Sequence, residues 1–216
     1  MTGDNKYSAI IFDLDGTLID SMPLHIAAFK DLLEKHNIEI GHNEIEKLSG
    51  QSTTKIFKTL KKEYKFKEKI INLREERRYH YFKLLGMKNI VFPGVKKTVQ
   101  NFKKNYKIAI ATGSSKTTFI HSTKKDFQNL FDVTITIDDV KRGKPSPDQL
   151  LLAAKKMKVK PSECLMVGDS IFDHIAAKKA GMDSVGVLTG TTSKKELLNS
   201  GARYVLKNVN ELNKVI

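Results

Sequence analysis

From Pro93 to its end, the sequence alternates short apolar runs with segments of helical periodicity. The apolar runs predict strands at 107–111, 133–137, 163–167, 184–187 and 204–206. The segments between them predict helices at 95–104, 117–126, 148–157 and 173–180, with a short helix after Asn208. Strands that alternate with helices form a parallel sheet covered on both faces, so the pattern predicts a doubly wound α/β fold. In such sheets the ligand site lies at the carboxyl ends of the strands.

An earlier apolar run, Ala9–Phe12, predicts a further buried strand, and two aspartates follow it directly. Asp13 and Asp15 are two positions apart, so their side chains point the same way on an extended segment. Gly16 then lets the backbone turn away. Unpaired buried carboxylates are costly, whereas paired ones suit Mg²⁺, and a carboxylate can also be a nucleophile. A plain turn is the alternative, because aspartate and glycine both favour turns.

Two further polar clusters precede predicted helices. Thr112-Gly113-Ser114-Ser115 ends a strand and opens a helix, whose free N–H groups and dipole favour an anion. Helix capping by a serine is the alternative for this cluster. Lys144 precedes two prolines that restrict the backbone, and its ammonium suits a phosphoryl group. The alternative for Lys144 is a solvated surface lysine.

A fourth cluster, Gly168–Asp173, follows the predicted strand at 163–167. Asp169 is again an acid at a strand end, where a cation bound by the first two aspartates would lie. If a helix begins here, Asp169 and Asp173 share one of its faces. Capping of that helix by Asp169 or Ser170 is the alternative.

The four clusters, in this order, resemble the four motifs of the haloacid dehalogenase (HAD) superfamily of aspartate-dependent phosphotransferases. The resemblance implies a Rossmann-like core at 1–21 and 93–216 and a helical cap at 22–92, which would carry substrate specificity. This cap position is similar to that of the phosphoglycolate phosphatase and β-phosphoglucomutase subgroup. Helical periodicity between residues 22 and 92 agrees with it.

The resemblance also implies a role for each motif residue. Asp13 would form an aspartyl-phosphate, and Asp15 would act as acid and base. Phosphoryl oxygens would be held by Thr112, the Gly113 N–H and Lys144. Mg²⁺ would be bound by Asp13, the Asp15 backbone carbonyl and Asp169, with Asp173 and Ser170 in support. Cap residues that would touch substrate are His25, Gly50, Gln51 and Ser52.

Hydrolysis is the favoured reaction, and two alternatives stay open. His25 lies where β-phosphoglucomutase has a histidine, which favours a phosphosugar mutase. However, the cap arginine and lysine of that mutase would fall near Thr53 and Ser49, and Thr17 stands where it carries valine. The other alternative is a non-catalytic anion-binding protein with the same fold. Retention of the motif aspartates and lysine argues against that alternative.

Composition limits the partners that we expect. The net charge is +14, but lysines are spread along the chain and interleaved with acids, which disfavours a nucleic-acid-binding protein. A small phosphorylated metabolite is the expected partner. The single cysteine, Cys164, favours a reducing, cytoplasmic setting. The sequence has no run that predicts a membrane span, and with no long apolar surface stripe we expect a monomer.

Overall fold

Six parallel strands form the central sheet of this computed structural model, which describes residues 6–41, 44–45, 53–65 and 67–216. The strands are β1 (Ala9–Phe12), β2 (Lys107–Ala111), β3 (Val133–Ile135), β4 (Cys164–Gly168), β5 (Asp183–Val187) and β6 (Tyr204–Leu206). Their order across the sheet is β3-β2-β1-β4-β5-β6, and every neighbouring pair is parallel. The predicted doubly wound α/β fold is confirmed.

The helices with defined bounds in the described chain lie between successive strands, the first four of them between β1 and β2. They are α1 (Met22–Lys35), α2 (Thr53–Tyr64), α3 (Ile70–Leu85), α4 (Val95–Phe102), α5 (Lys116–Ser122), α6 (Lys125–Gln128), α7 (Asp148–Met157), α8 (Ile171–Ala180) and α9 (Lys194–Ser200). A short 3₁₀ helix, Val209–Lys214, stands where the terminal helix was predicted.

One predicted helix, at 117–126, is divided in the structure. Helix α5 ends at Ser122, and Thr123 has extended backbone angles. The Thr123 hydroxyl donates to the Phe119 carbonyl at 2.6 Å, which occupies one of the free carbonyls of the last turn. Helix α6 then begins at Lys125. The periodicity alone does not show this break, because a threonine is tolerated within a helix.

The two central strands are fully buried, because helices cover both faces of the sheet. Ile10 and Phe12 of β1 contribute to one hydrophobic core, and Ile11 contributes to the other. Cys164, at the start of β4, is completely buried, and its burial raises the pKa of the thiol to about 11. The cysteine is therefore a protonated core residue.

The chain divides into two compact units, Met1–Asp20 with Ile90–Ile216, and Ser21–Asn89. The smaller unit is helical in its described part, and its core is formed by apolar residues that include Phe29, Phe57 and Leu73. In the larger unit, the Asp20 N–H donates to the Ile90 carbonyl at 2.7 Å. The points where the chain leaves and re-enters the larger unit are thus joined. No described helix is both long and apolar enough to cross a bilayer.

Candidate active site

The register of the sheet brings the first and fourth motifs to one edge. Phe12 of β1 pairs with Ile110 of β2 on one side and with Val167 of β4 on the other. Since the strands are parallel, the residues that follow each of them emerge at the same edge. Asp13 and Asp169 therefore lie close together, although they are far apart in the sequence.

Lys144 binds two of the motif aspartates from the side of α7. Its Nζ lies 2.9 Å from Asp13 Oδ1 and 2.5 Å from Asp173 Oδ1, and it donates to the Ala111 carbonyl at 3.0 Å. Only 7% of the Lys144 side chain is exposed. Burial by itself would lower the pKa of this lysine, but the two carboxylates raise it above its usual value. Lys144 therefore stays charged, and the alternative of a solvated surface lysine is wrong.

Three buried aspartates, Asp13, Asp169 and Asp173, form a group in which one carboxylate oxygen of each lies within 4.8 Å of the others. Burial, and then the charge of Asp173, raise the pKa of Asp13 well above its usual value, despite Lys144. The same two causes raise the pKa of Asp169 to about 7. Three carboxylates around one ammonium therefore leave uncompensated negative charge. Hard carboxylate oxygens at this spacing fit Mg²⁺ as a ligand set.

The three aspartates differ in how many of their carboxylate oxygens already accept hydrogen bonds from the protein. Asp173 accepts the Lys144 ammonium on Oδ1, and on Oδ2 it accepts the Ser170 N–H at 3.1 Å and the Ser170 hydroxyl at 2.9 Å. No hydrogen bond within the described chain reaches Oδ2 of Asp13 or of Asp169. Asp13 and Asp169 thus each retain an oxygen for a ligand, whereas Asp173 suits a supporting role.

The turn between β4 and α8, rather than one helix face, brings Asp169 and Asp173 together. Helix α8 begins at Ile171 with Ser170 as its N-cap residue, so Asp169 lies before the helix. The sequence-based prediction that both aspartates share a helix face is wrong for this reason. The capping alternative applies to Ser170, the N-cap residue, whose N–H and hydroxyl both donate to Asp173 Oδ2.

Thr17 fixes the orientation of Asp169. Its hydroxyl donates to Asp169 Oδ1 at 2.7 Å, and both residues are buried. If Asp169 binds Mg²⁺, as the resemblance implies, Thr17→Val should raise the half-saturating Mg²⁺ concentration about 10-fold, because partners behind a metal ligand contribute at this scale. Titration of phosphate release with Mg²⁺ measures the shift. Thr98→Val is the matched control, because the Thr98 hydroxyl donates to Asn210 Oδ1 at the same 2.7 Å on an exposed surface. Equal Mg²⁺ dependence in both variants would contradict this role of Thr17.

Asp15 lies in a second group, with hydroxyls that follow β2. Its Oδ2 accepts the Ser114 hydroxyl at 2.7 Å and the Thr112 hydroxyl at 3.2 Å. The next serine, Ser115, is the N-cap residue of α5, where it accepts the Thr118 N–H. The capping alternative is therefore confirmed for Ser115. Thr112 and Ser114 instead contact Asp15, the second aspartate of the first motif. Separate hydrogen-bond partners hold Asp13 and Asp15 in different surroundings.

The loop after β5 approaches this edge of the sheet closely. The Thr189 hydroxyl donates to the Gly16 carbonyl at 2.6 Å. A Cβ atom on Gly190 would lie 1.9 Å from Asp169 Oδ2, so a larger side chain would displace that carboxylate. Gly16 has a φ of 76°, which favours glycine, and a Cβ there would also meet Asp169. These two glycines leave the space that the Asp169 side chain occupies.

One of the predicted cap residues, His25, lies in the described part of the chain. His25 belongs to the smaller unit, where its ring stacks on Tyr81 with centroids 4.4 Å apart. The ring nitrogen Nδ1 of His25 lies 3.2 Å from Nη1 of Arg77, a buried arginine. Gly50, Gln51 and Ser52, the other predicted cap contacts, lie outside the described residues.

Sequence reasoning missed three polar residues near the site. The sequence pattern assigns no site role to Thr17 of the first motif or to the buried Gln149 and His174. Burial lowers the pKa of His174, so its ring is neutral and adds no charge beside Asp173. A polar residue at an otherwise apolar position of helices α7 and α8 is the signal that could have found both.

Residues 10–187 of the chain match the family model of the haloacid dehalogenase-like hydrolases. Among curated proteins, the chain is 31% identical to pyrophosphatase PpaX of Bacillus mycoides, covering 96% of this chain and 95% of the relative. It is 29% identical to the phosphorylated carbohydrates phosphatase of Thermotoga maritima, covering 92% and 94% of the two chains. The expectation of a phosphoric monoester hydrolase agrees with these names.

Solved structures extend the comparison to the whole fold. A hydrolase from Pseudomonas syringae superimposes with a TM-score of 0.85 at 33% identity, covering 96% of this chain and 97% of that one. The β-phosphoglucomutase of Clostridium difficile gives a TM-score of 0.80 at 29% identity, covering 95% and 93%. With the motif residues gathered at one sheet edge and matches of this extent, the chain belongs to the haloacid dehalogenase-like hydrolase family.

Proposed function

We propose that this protein is a Mg²⁺-dependent phosphatase that hydrolyses small phosphate monoesters through an aspartyl-phosphate on Asp13. The observation that carries the proposal is that two neighbouring aspartates differ in burial and in their hydrogen-bond partners. Asp13 is buried beside an ammonium and two further carboxylates, whereas Asp15 is half-buried and bound by two hydroxyls. The surroundings of Asp13 suit a nucleophile at a charged centre, and those of Asp15 suit a general acid and base.

In the first step, a carboxylate oxygen of Asp13 attacks the phosphorus of the ester. The bond from phosphorus to the ester oxygen breaks, and Asp15 donates a proton to that leaving oxygen. Thr112, the Gly113 N–H and Lys144 would hold the phosphoryl oxygens as charge develops on them. Asp13, Asp169 and the Asp15 carbonyl, with Asp173 in support, would hold Mg²⁺, which would supply the positive charge that Lys144 alone does not provide.

In the second step, Asp15 removes a proton from a water molecule, which attacks the aspartyl-phosphate. The bond from phosphorus to the Asp13 oxygen breaks, so the Asp13 carboxylate is restored and inorganic phosphate leaves. Lys144 lies 2.9 Å from Asp13 Oδ1 and stabilises the carboxylate as its charge returns. Asp15 ends the cycle protonated, ready for the next ester.

Two relatives support a small phosphorylated substrate, since one is named for pyrophosphate and the other for phosphorylated carbohydrates. We propose that residues 22–92 form the cap that selects among such esters, with 1–21 and 93–216 as the catalytic core. A cytoplasmic, monomeric enzyme stays a prediction from the sequence. The structural match to a β-phosphoglucomutase keeps a phosphosugar mutase as the second candidate.

The testing experiment measures phosphate release from a panel of phosphate esters and pyrophosphate, in Mg²⁺ and in EDTA. The panel holds phosphoglycolate, hexose phosphates, nucleotides, pyrophosphate and β-glucose 1-phosphate, and formation of glucose 6-phosphate is followed in parallel. Metal-dependent phosphate release supports the phosphatase. Glucose 6-phosphate that forms faster than free phosphate would replace it with the mutase. If the protein acts on no compound of the panel, the non-catalytic, anion-binding alternative would be favoured.

Metal binding is expected to reverse the effect of Asp169 on stability. Without metal, the raised pKa of Asp169 means that the folded protein holds a proton that the unfolded chain releases between about pH 4 and 7. The stability that protonated Asp169 contributes is fully present below the pKa of this residue in the unfolded chain. It is lost as the pH rises through about 7, the pKa of Asp169 in the folded protein. In EDTA at pH 8, we therefore expect Asp169→Asn to melt at a higher temperature than the wild type. At pH 5 this difference shrinks.

Thermal melts in EDTA and in Mg²⁺, at pH 5 and pH 8, measure this prediction. In Mg²⁺ at pH 8 the wild type gains stability by binding the ion, while Asp169→Asn gains less. The exposed Asp126→Asn is the control, because Asp126 lies outside the aspartate group. If the wild type were more stable than Asp169→Asn in EDTA at pH 8, the inferred repulsion among the buried aspartates would be contradicted.

A further inference from the structure

A fully buried glutamine, Gln149, joins the second and third motifs. Its Nε2 donates to the Thr112 carbonyl at 2.6 Å, and its Oε1 accepts the Lys144 N–H at 3.4 Å. Gln149 is the second residue of α7, whose other buried side chains are apolar. A buried amide is costly unless it is hydrogen-bonded. Its two partners are backbone groups of the two segments that would hold phosphate.

The bond to the Thr112 carbonyl has a consequence for Gly113. Thr112 C=O and Gly113 N–H belong to the same planar peptide unit, and in a trans peptide they point in opposite directions. Gln149 holds the carbonyl on the buried side, which directs the Gly113 N–H away from α7. A donor on the carbonyl also polarises the peptide and strengthens that N–H as a donor. Gly113 itself is exposed.

The weaker bond of Gln149 acts on the lysine segment. The Lys144 N–H meets Gln149 Oε1 at 3.4 Å, and the lysine ammonium at the other end of the residue lies between Asp13 and Asp173. One side chain therefore relates the backbone positions of Thr112 and Lys144 to each other. These two segments come from different strand ends, so their spacing depends on a contact of this kind.

We propose that Gln149 is a positioning residue, which sets the Gly113 N–H and Lys144 at the spacing that a phosphoryl group requires. This inference rests on the proposed function, since it concerns the phosphate-binding side of the same site. Gln149 does not touch the substrate; it acts through the two segments that do. Loss of its bonds would then weaken phosphate binding and turnover while leaving the sheet intact.

The first test compares Gln149→Met with Gln128→Met. Gln128 is the matched control, because its Nε2 donates to the Thr123 carbonyl at 2.7 Å, between α5 and α6. We expect Gln149→Met to lower kcat/KM about 10- to 100-fold, the scale of a small misplacement of binding groups. The inhibition constant of inorganic phosphate should rise in the same variant. Both quantities should stay within about twofold in Gln128→Met.

The second test separates hydrogen bonding from packing. In Gln149→Glu, a protonated carboxyl can donate to the Thr112 carbonyl, whereas an ionised one can only repel it. The activity of this variant, divided by that of the wild type at the same pH, should therefore rise as the pH falls. The corresponding ratio for Gln149→Met should stay flat. Flat ratios for both variants, with an unchanged phosphate inhibition constant, would overturn the proposal.

A third readout does not depend on turnover. The backbone amide resonance of Gly113 should move in Gln149→Met relative to the wild type, and inorganic phosphate should shift it less in the variant. If no ester of the panel is hydrolysed, the proposed function fails while this measurement still tests the positioning. An unmoved Gly113 resonance with a wild-type response to inorganic phosphate would overturn the role of Gln149 by itself.

Discussion

Replacement of Asp13 by asparagine is expected to lower phosphate release by at least about 10⁴-fold, the scale at which loss of a nucleophile acts. An amide cannot form the aspartyl-phosphate, and it also removes one of the carboxylates that would hold Mg²⁺. The fold should survive, because the pKa of Asp13 is raised mainly by burial and by Asp173, so its charge is unfavourable in the metal-free protein. In EDTA the variant should therefore melt at or above the temperature of the wild type.

Two measurements check this expectation. Phosphate release is followed under single-turnover conditions, and the covalent intermediate is sought by mass spectrometry after acid quenching. Asp126→Asn is the control, because that aspartate is exposed and forms an ion pair with the surface Lys96. Residual release by Asp13→Asn above about 1% of the wild type would assign the nucleophile to another residue.

Replacement of Lys144 by methionine is expected to have the second largest effect. The methionine keeps most of the volume but leaves Asp13 and Asp173 facing each other without their shared ammonium. Removal of one partner from a buried ion pair costs about 3–5 kcal/mol of stability. Phosphate release should fall about 10²- to 10³-fold, because a preorganised charge at the phosphoryl group is lost. Added Mg²⁺ should recover part of the stability and little of the activity.

The control for this change is Lys107→Met. Lys107 is also part of the larger unit, and its Nζ donates to the Met157 carbonyl at 2.7 Å, but it lies at the opposite end of β2. Chemical denaturation gives the free energy of unfolding of both variants, and initial rates give their activity. Equal losses of activity in the two variants would show that Lys144 acts on folding alone.

Much of the core and of the charged site could be predicted from the sequence, for a local reason. A buried strand of a parallel sheet reads as a continuous apolar run, and Ala9–Phe12 and 107–111 have this pattern. The aspartates directly after the buried strands at 9–12 and 163–167 are conspicuous, because burying an unpaired charge is costly. Asp13 and Asp169 could be selected on these grounds before any contact between them was known, and Lys144 by the two prolines that follow it.

Neutral polar residues could not be selected in this way. Thr17 and Gln149 look like ordinary turn and helix residues, and their importance depends on partners distant in sequence, Asp169 and Thr112. The periodicity of α7 places Gln149 on its apolar face, but it does not show which groups the buried amide meets. The helical unit presents the same difficulty, because His25 meets Arg77 through a fold whose periodicity predicts helices but not their pairing.

The joined ends of the inserted helical unit have a consequence for how such enzymes diversify. The Asp20 N–H binds the Ile90 carbonyl, and Ile19 pairs with Val91, so the core closes on itself where the insertion begins and ends. A segment attached at two adjacent points can be exchanged without lengthening any core strand. Residues 21–89 are thus placed as a transplantable module: a relative's insert grafted between Asp20 and Ile90 would meet a catalytic sheet already complete.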